Sequence, residues 1–182
     1  MSTSVETKDR VGKRQDPRAD RHKPLLLVDI DGVISLFGGQ LTAKDGSFHS
    51  IDGMPHFLSA TAAAHLLHLA DDFDLVWCSG WEEKADEHLP HLLGLPRGLP
   101  HLQFDRDVRR GNAHWKLAAI DAYARERPLA WVDDALNDAC HEWAAAREAP
   151  TLLVKTEPAD GLTAREAALL SRWARGLTQP AA

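Results

Sequence analysis

The 182-residue chain lacks long hydrophobic runs, cysteine-rich segments and internal repeats. Its unbroken apolar stretches, such as the one that starts at Leu25, are far shorter than the roughly 20 residues of a membrane-spanning helix. Residues 1–23 are polar throughout and contain no apolar core of the kind a signal peptide needs, so we expect neither a leader nor a membrane span. Two cysteines, Cys78 and Cys140, are too few for a disulfide framework, and we therefore expect reduced thiols and a cytoplasmic protein.

Positive charge is scarce outside the N-terminus. The net charge is −6, although residues 1–24 carry seven Lys and Arg against four Asp and Glu. The rest of the chain is therefore acidic, which argues against non-specific duplex binding through a broad basic face. The N-terminal tail, or the local cluster Arg106, Arg109 and Arg110, could still contact phosphates, but a solvated tail and a solvated loop are the simpler interpretation.

The chain does contain enough apolar residues, 44%, for the core of one ordinary globular domain. Short apolar runs without polar alternation are typical of strands buried on both faces of a parallel sheet. Such runs predict strands over 25–30, 73–78, 102–104, 129–132 and 151–154. The patterns between and after them predict helices over 55–70, 82–93, 112–126, 136–147 and 164–175.

This alternation predicts an α/β fold, a doubly wound and mainly parallel sheet of about five strands with helices on both faces. We expect one domain over 24–176, between a flexible tail at 1–23 and a short tail at 177–182. About forty residues separate the first two strands and the predicted helix takes many of them, so 36–53 can form at best a short loop or hairpin and no large cap domain is expected. Thr163 and Glu166 form the pattern of a capping box, and Gly176 is predicted to close the last helix.

Carboxylates follow two of the predicted strands, at the edge where an open α/β sheet binds ligands. Asp29 and Asp31 end the first strand, and strand alternation predicts that they share one side. Two facing carboxylates repel unless a hard cation lies between them, and the repulsion raises the pKa of one, so the pair suits metal binding and acid/base chemistry. Asp133 and Asp134 end another strand, and Asp138 lies one helical turn beyond. Asp138 could support the cation site or simply be a carboxylate in the first turn of a helix.

Residues that suit phosphate binding follow a third strand and begin a helix. Ser79 and Gly80 offer a hydroxyl and an exposed amide, and Lys116 offers a compact positive charge. Ser79 could instead only cap the following helix, and Lys84 or Lys155 could take the place of Lys116. Together with the carboxylates, these residues predict a phosphoryl-transfer site.

These four segments resemble, in order and placement, the four motifs of the haloacid dehalogenase-like (HAD) superfamily. The resemblance covers roughly residues 24–175, and the contexts of residues 77–81 and 131–134 resemble the small HAD domains related to RNA-repair proteins. It implies that Asp29 attacks phosphorus to give an aspartyl phosphate. It also implies that Asp31 protonates the leaving oxygen and then activates the hydrolytic water.

The resemblance further implies a Mg²⁺ cofactor, held by the Asp29 side chain, the Asp31 backbone carbonyl and one carboxylate of the second pair, with Asp133 favoured over Asp134. The phosphate-binding residues named above would contact the phosphoryl group. The expected activity is that of a phosphatase, with a small molecule or a nucleic-acid end as the phosphorylated substrate and an oligomeric partner left open.

Other interpretations remain open at this point. An Asp-x-Asp pair also binds metal in nucleotide-sugar transferases, although these enzymes need a longer chain. An EF-hand is excluded because Val33 occupies the position of a calcium ligand. The fold could also bind metal and phosphate without turnover, or process nucleic-acid ends beside a partner enzyme. The ten histidines are interpreted as surface or packing residues, whereas Trp81 could line the site or stack on a base.

Overall fold

A computed structural model describes residues 23–41, 45–105 and 113–178. Residues 1–22 of the predicted tail and the predicted basic cluster at 106–110 lie outside these ranges. The strands are β1 Leu25–Val28, β2 Ser35–Leu36, β3 Gly46–Ile51, β4 Met54–Ser59, β5 Asp74–Trp77, β6 Leu129–Asp133 and β7 Thr151–Lys155. The α-helices are α1 Ala60–Leu69, α2 Lys84–Leu93, α3 Leu117–Ala124, α4 Asp138–Ala146 and α5 Ala164–Thr178, and a 3₁₀ helix, Ala113–Lys116, precedes α3.

The main sheet contains four parallel strands in the order β5-β1-β6-β7. This confirms the predicted α/β fold with a mainly parallel sheet, but the predicted fifth strand at 102–104 is wrong. Beside β5 there is only an isolated bridge between Trp77 and His101. Trp77 N donates to the Pro100 carbonyl at 2.8 Å and Leu102 N donates to the Trp77 carbonyl at 2.9 Å. The pairing goes no further, because Phe104 N donates to the Glu82 side chain at 3.2 Å instead of to the sheet.

Two apolar cores cover the two faces of this sheet. Leu26 and Val28 of β1 belong to one core, which also contains buried residues of α1, α2 and α5. Leu25 and Leu27 belong to the other, together with buried residues of α3 and α4. Because successive side chains of a strand point to opposite faces, one unbroken apolar strand supplies both cores. The predicted helices on both faces are therefore confirmed.

A second, antiparallel sheet of three strands lies between β1 and α1 in the chain, in the order β2-β4-β3. The predicted helix over 55–70 is wrong in its first five residues, because Pro55 to Ser59 belong to β4. Helix α1 begins only at Ala60, where the Ser59 hydroxyl accepts a hydrogen bond from Ala62 N at 3.1 Å. In the described part of the chain this small sheet stands where a cap domain could have been inserted, in agreement with the expectation of no large cap.

The last helix begins as predicted and ends later. Thr163 N donates to Glu166 Oε2 at 3.3 Å, and the Thr163 hydroxyl accepts from Arg165 N at 3.2 Å. Gly176 does not close the helix, which continues to Thr178, because Gly176 lacks the positive φ of a left-handed cap. No helix in the described ranges is long and apolar enough to cross a bilayer.

Candidate active site

The carboxyl ends of β1, β5 and β6 surround a cavity of about 360 Å³. Parallel neighbours end at the same edge of a sheet, so residues distant in sequence meet there. The cavity is lined by Asp29, Asp31, Ser79, Gly80, Trp81, Ala113, Trp115, Lys116, Asp133 and Ala135. The cavity lining contains all the predicted site residues except Asp134 and Asp138. Asp134 nevertheless lies beside Asp29 and Asp133, so only Asp138 is apart from the site.

Asp29 lies at the floor of this cavity, immediately after β1, and is 7% exposed. Its Oδ1 accepts a hydrogen bond from Ile30 N at 2.8 Å, and its Oδ2 lies 3.0 Å from Lys116 Nζ. Both carboxylate oxygens are therefore held in place. Burial raises the pKa of Asp29 to about 7, against the lowering effect of the Lys116 ammonium.

Lys116 is the buried cation of the site. Its Nζ donates to Asp133 Oδ2 at 2.6 Å as well as contacting Asp29. Burial alone would lower the pKa of Lys116, but the two carboxylates hold it above its ordinary value, so the ammonium stays charged. Lys84, an alternative in the sequence, instead pairs with Asp52 on the exposed surface, and Lys155 is exposed at the end of β7.

Three carboxylates form a cluster suited to a cation. Oxygens of Asp29, Asp133 and Asp134 lie within 4.8 Å of one another. Asp133 is fully buried and both its oxygens are engaged, Oδ2 with Lys116 and Oδ1 with Ala135 N at 2.9 Å. Asp134 is half-buried, and its pKa is raised by burial and by the neighbouring charge of Asp133.

Gly32 lets the turn after β1 lie close to the Asp134 side chain. It has a φ of +72°, and a Cβ built on it would lie 2.4 Å from Asp134 Cγ. Its carbonyl accepts a hydrogen bond from the Thr156 hydroxyl at 2.8 Å. A residue with a side chain would therefore meet both a strained φ and the Asp134 side chain at this position.

Asp31 lines the same cavity as Asp29. A turn brings it there, and not the predicted alternation of side chains along a strand. Strand β1 ends at Val28, and the Ile30 carbonyl accepts hydrogen bonds from three amides in a tight turn, those of Val33, Ile34 and Ser35. The Asp31 side chain is 51% exposed and is not one of the three clustered carboxylates.

Two aromatic side chains flank Asp31. Trp81 donates its indole N–H to Asp31 Oδ2 at 3.1 Å, and His56 Nδ1 lies 3.8 Å from Asp31 Oδ1. Trp81 thus lines the site, one of the two roles that the sequence left open. Sequence reasoning missed His56, and no local pattern marks it, because β4 carries it to the site.

Ser79 is buried in the turn that follows β5. Helix α2 begins only at Lys84, with Glu83 at its N-cap position, so Ser79 does not cap that helix. Its hydroxyl lies 3.5 Å from Trp81 N and lines the cavity beside Gly80. Asp138, in contrast, is exposed in the first turn of α4, which is the alternative role that the sequence allowed.

Comparison with known proteins identifies this arrangement. Residues 25–167 match the family described as the HAD domain in Swiss Army Knife RNA repair proteins. The chain belongs to this family. The predicted resemblance to the small HAD domains of RNA-repair proteins is therefore confirmed, and membership supports a hydrolase of the phosphoesterase type.

The search of curated proteins finds no match to this HAD chain. Among solved structures, the crystal structure of a hypothetical protein from Xanthomonas campestris is similar to it, with 14% identity and a TM-score of 0.45. That similarity covers 86% of this chain and 85% of the other.

Proposed function

We propose that this HAD domain is a Mg²⁺-dependent phosphomonoester hydrolase that acts through an aspartyl phosphate on Asp29. The observation that carries the proposal is the contact of the buried Asp29 carboxylate with Lys116 Nζ, 3.0 Å apart, at the floor of the cavity. A nucleophile needs a fixed orientation, and a phosphoryl group needs a nearby positive charge. Ser79 and Gly80, on the wall of the same cavity, offer further donors for the phosphoryl oxygens.

The carboxylates fit a magnesium ion by the chemistry of their donors. Hard divalent cations prefer carboxylate oxygens, and the cluster of Asp29, Asp133 and Asp134 supplies three. Asp31 brings the number of carboxylates at the site to four, against the ammonium of Lys116. This excess of negative charge would repel a phosphate dianion. A bound Mg²⁺ would neutralise charge on the cluster and on the phosphoryl oxygens.

Asp134 is the better candidate for direct coordination from the second pair, which reverses the preference for Asp133. Asp133 is fully buried, and its oxygens accept hydrogen bonds from Lys116 and from Ala135 N. Asp134 is only half-buried, and the Asp29 side chain, whose oxygens also have partners, keeps 10% of its surface exposed. We infer that Asp133 holds Lys116 in place, whereas Asp29, Asp134 and the backbone carbonyl of Asp31 would hold the ion. Asp138, exposed on α4, has no assigned part in this scheme.

The proposed reaction has two displacements. In the first, an Asp29 oxygen bonds to phosphorus, the ester P–O bond breaks, and Asp31 gives its proton to the leaving oxygen. In the second, Asp31 takes a proton from water, the water oxygen bonds to phosphorus, and the bond between phosphorus and Asp29 breaks. The sum is hydrolysis of a phosphomonoester to an alcohol and inorganic phosphate, with both aspartates restored.

A phosphate at a nucleic-acid end is the second candidate substrate class. The family description refers to RNA repair proteins, and two tryptophans, Trp81 and Trp115, line the cavity. An aromatic wall beside a phosphate site suits a nucleotide, because a base can stack on an indole. The domain would then act beside a kinase or ligase of another chain. We also propose a cytoplasmic location for the domain.

The test is phosphate release from small phosphomonoesters, nucleotides and phosphate-ended oligonucleotides, with Mg²⁺ or with EDTA. We expect release that requires Mg²⁺ and is lost in Asp29→Asn, while the matched control Asp71→Asn, at an exposed carboxylate away from the cavity, keeps it. Preference for oligonucleotides would select the end-processing role. No release above the Asp29→Asn background on any substrate, with Mg²⁺ still bound, would refute the hydrolase and leave a metal- and phosphate-binding module.

A further inference from the structure

Of the two carboxyls that react in the proposed mechanism, that of Asp31 is the less enclosed. Its side chain is 51% exposed, whereas that of Asp29 is only 10% exposed. A general acid must lie within hydrogen-bond reach of the ester oxygen, and an exposed side chain exchanges rotamers rapidly. Packing alone therefore does not fix the orientation of Asp31.

One direct hydrogen bond fixes it. The indole Nε1 of Trp81 donates to Asp31 Oδ2 at 3.1 Å. An indole N–H is only a donor, so Oδ2 has to remain an acceptor. The acidic proton is then best placed on Oδ1, the oxygen that does not accept from the indole.

The small sheet holds the indole in turn. The ring of His56, on β4, meets the ring of Trp81 edge to face, with centroids 4.8 Å apart and planes at 72°. His56 Nδ1 shares a hydrogen bond of 3.0 Å with the buried hydroxyl of Ser35 on β2. The contacts run from Ser35 through His56 and Trp81 to Asp31, so two elements outside the main sheet orient one carboxyl.

We propose that Trp81 is a positioning residue that holds the Asp31 carboxyl for proton transfer, with His56 fixing the Trp81 ring. This inference rests on the proposed hydrolase. Proton donation matters most when the leaving oxygen is a poor leaving group and little when it departs readily as a phenolate. In the first displacement, loss of the indole N–H therefore acts selectively on alkyl phosphates, whereas the second displacement, in which Asp31 takes a proton from water, is the same for every ester.

The experiment compares Trp81→Phe with the wild-type protein on an alkyl phosphate, glycerol phosphate, and on p-nitrophenyl phosphate. We expect kcat/KM, which reports the steps up to the departure of the leaving oxygen, to fall about tenfold for the alkyl ester and to change little for the aryl ester. A tenfold loss is a part of the full effect of general acid catalysis. Trp173→Phe is the matched control, because Trp173 stacks on Phe73 and does not line the cavity. In an Asp31→Asn background, Trp81→Phe should add no further loss.

A second readout does not depend on turnover. The indole N–H resonance of Trp81, assigned by its absence in Trp81→Phe, should shift in Asp31→Asn and stay in place in Asp71→Asn. Equal loss of kcat/KM on both esters, additive loss in the Asp31→Asn background, or an unshifted indole resonance would overturn the positioning role and leave the hydrolase standing. No phosphate release by the wild-type protein would instead refute the proposed function, and this inference with it.

Discussion

The close approach of Gly32 to Asp134 gives a prediction with an internal control. Gly32 and Gly53 both have positive φ, +72° and +79°. A Cβ on Gly53 meets nothing within 4 Å, whereas on Gly32 it would lie 2.6 Å from Asp134 Cβ and from Asp134 Oδ2. Alanine at either position has the same backbone strain, about 1–2 kcal/mol. Only Gly32→Ala also displaces a carboxylate.

The additional cost can be worked from these contacts. The Asp134 side chain cannot relieve the overlap by rotation alone, because its Cβ is one of the atoms in contact and is carried by the backbone after β6. Overpacking of this kind costs about 1–3 kcal/mol. We expect Gly32→Ala to be less stable than Gly53→Ala by that amount, and to bind Mg²⁺ about 10–100-fold more weakly, as disturbed metal ligands do.

Two measurements check this. Urea denaturation in EDTA gives the difference in the free energy of unfolding without any cation, and calorimetric titration gives the affinity for Mg²⁺. If the two variants unfold at the same urea concentration and bind Mg²⁺ equally, a side chain at position 32 does not disturb Asp134. The predicted overlap between the two positions would then be wrong.

Three further predictions concern the buried groups. Lys116→Met should lose about 3–5 kcal/mol of stability in EDTA, because Asp29 and Asp133 are left buried and unpaired; a loss below about 1 kcal/mol in urea denaturation would contradict this. Thr156→Val should cost about 1 kcal/mol and weaken Mg²⁺ binding, because its hydroxyl donates to the Gly32 carbonyl at 2.8 Å; unchanged denaturation and titration curves would refute it. Because the pKa of Asp29 rises from 3.8 to about 7 on folding, the wild-type protein in EDTA should lose stability as the pH rises between these values. Asp29→Asn should not share this loss, and parallel pH profiles of the two proteins would be the contrary result.

The main sheet could be predicted from the sequence because a local pattern, a short apolar run, marks each of its strands. A run such as Leu25–Val28, apolar at every position and followed by Asp and Gly, is typical of a strand that is buried on both faces. The positions of Asp29, Ser79 and Asp133 then follow, since each lies at the end of a strand or within two residues of it, and parallel strands end together.

The small sheet could not be predicted in the same way. Pro55 followed by Phe57 and Leu58 matches the start of an amphipathic helix. Pairing with β2 on one side and with β3 on the other, in the register Phe48 to Phe57, makes the segment a strand. The role of His56 depends on that register. Residues of the site that lie at strand ends were therefore predictable, whereas the support of Asp31 from a neighbouring sheet was not.

The central claim is that phosphate passes through Asp29. The most direct measurement is a rapid acid quench of the protein during turnover of a radiolabelled phosphomonoester with Mg²⁺, followed by digestion and location of the label. We predict label on the peptide that contains Asp29, its absence in EDTA, and its absence from Asp29→Asn together with the loss of phosphate release. Phosphate release at the wild-type rate by Asp29→Asn, or label on a peptide without Asp29, would contradict the account.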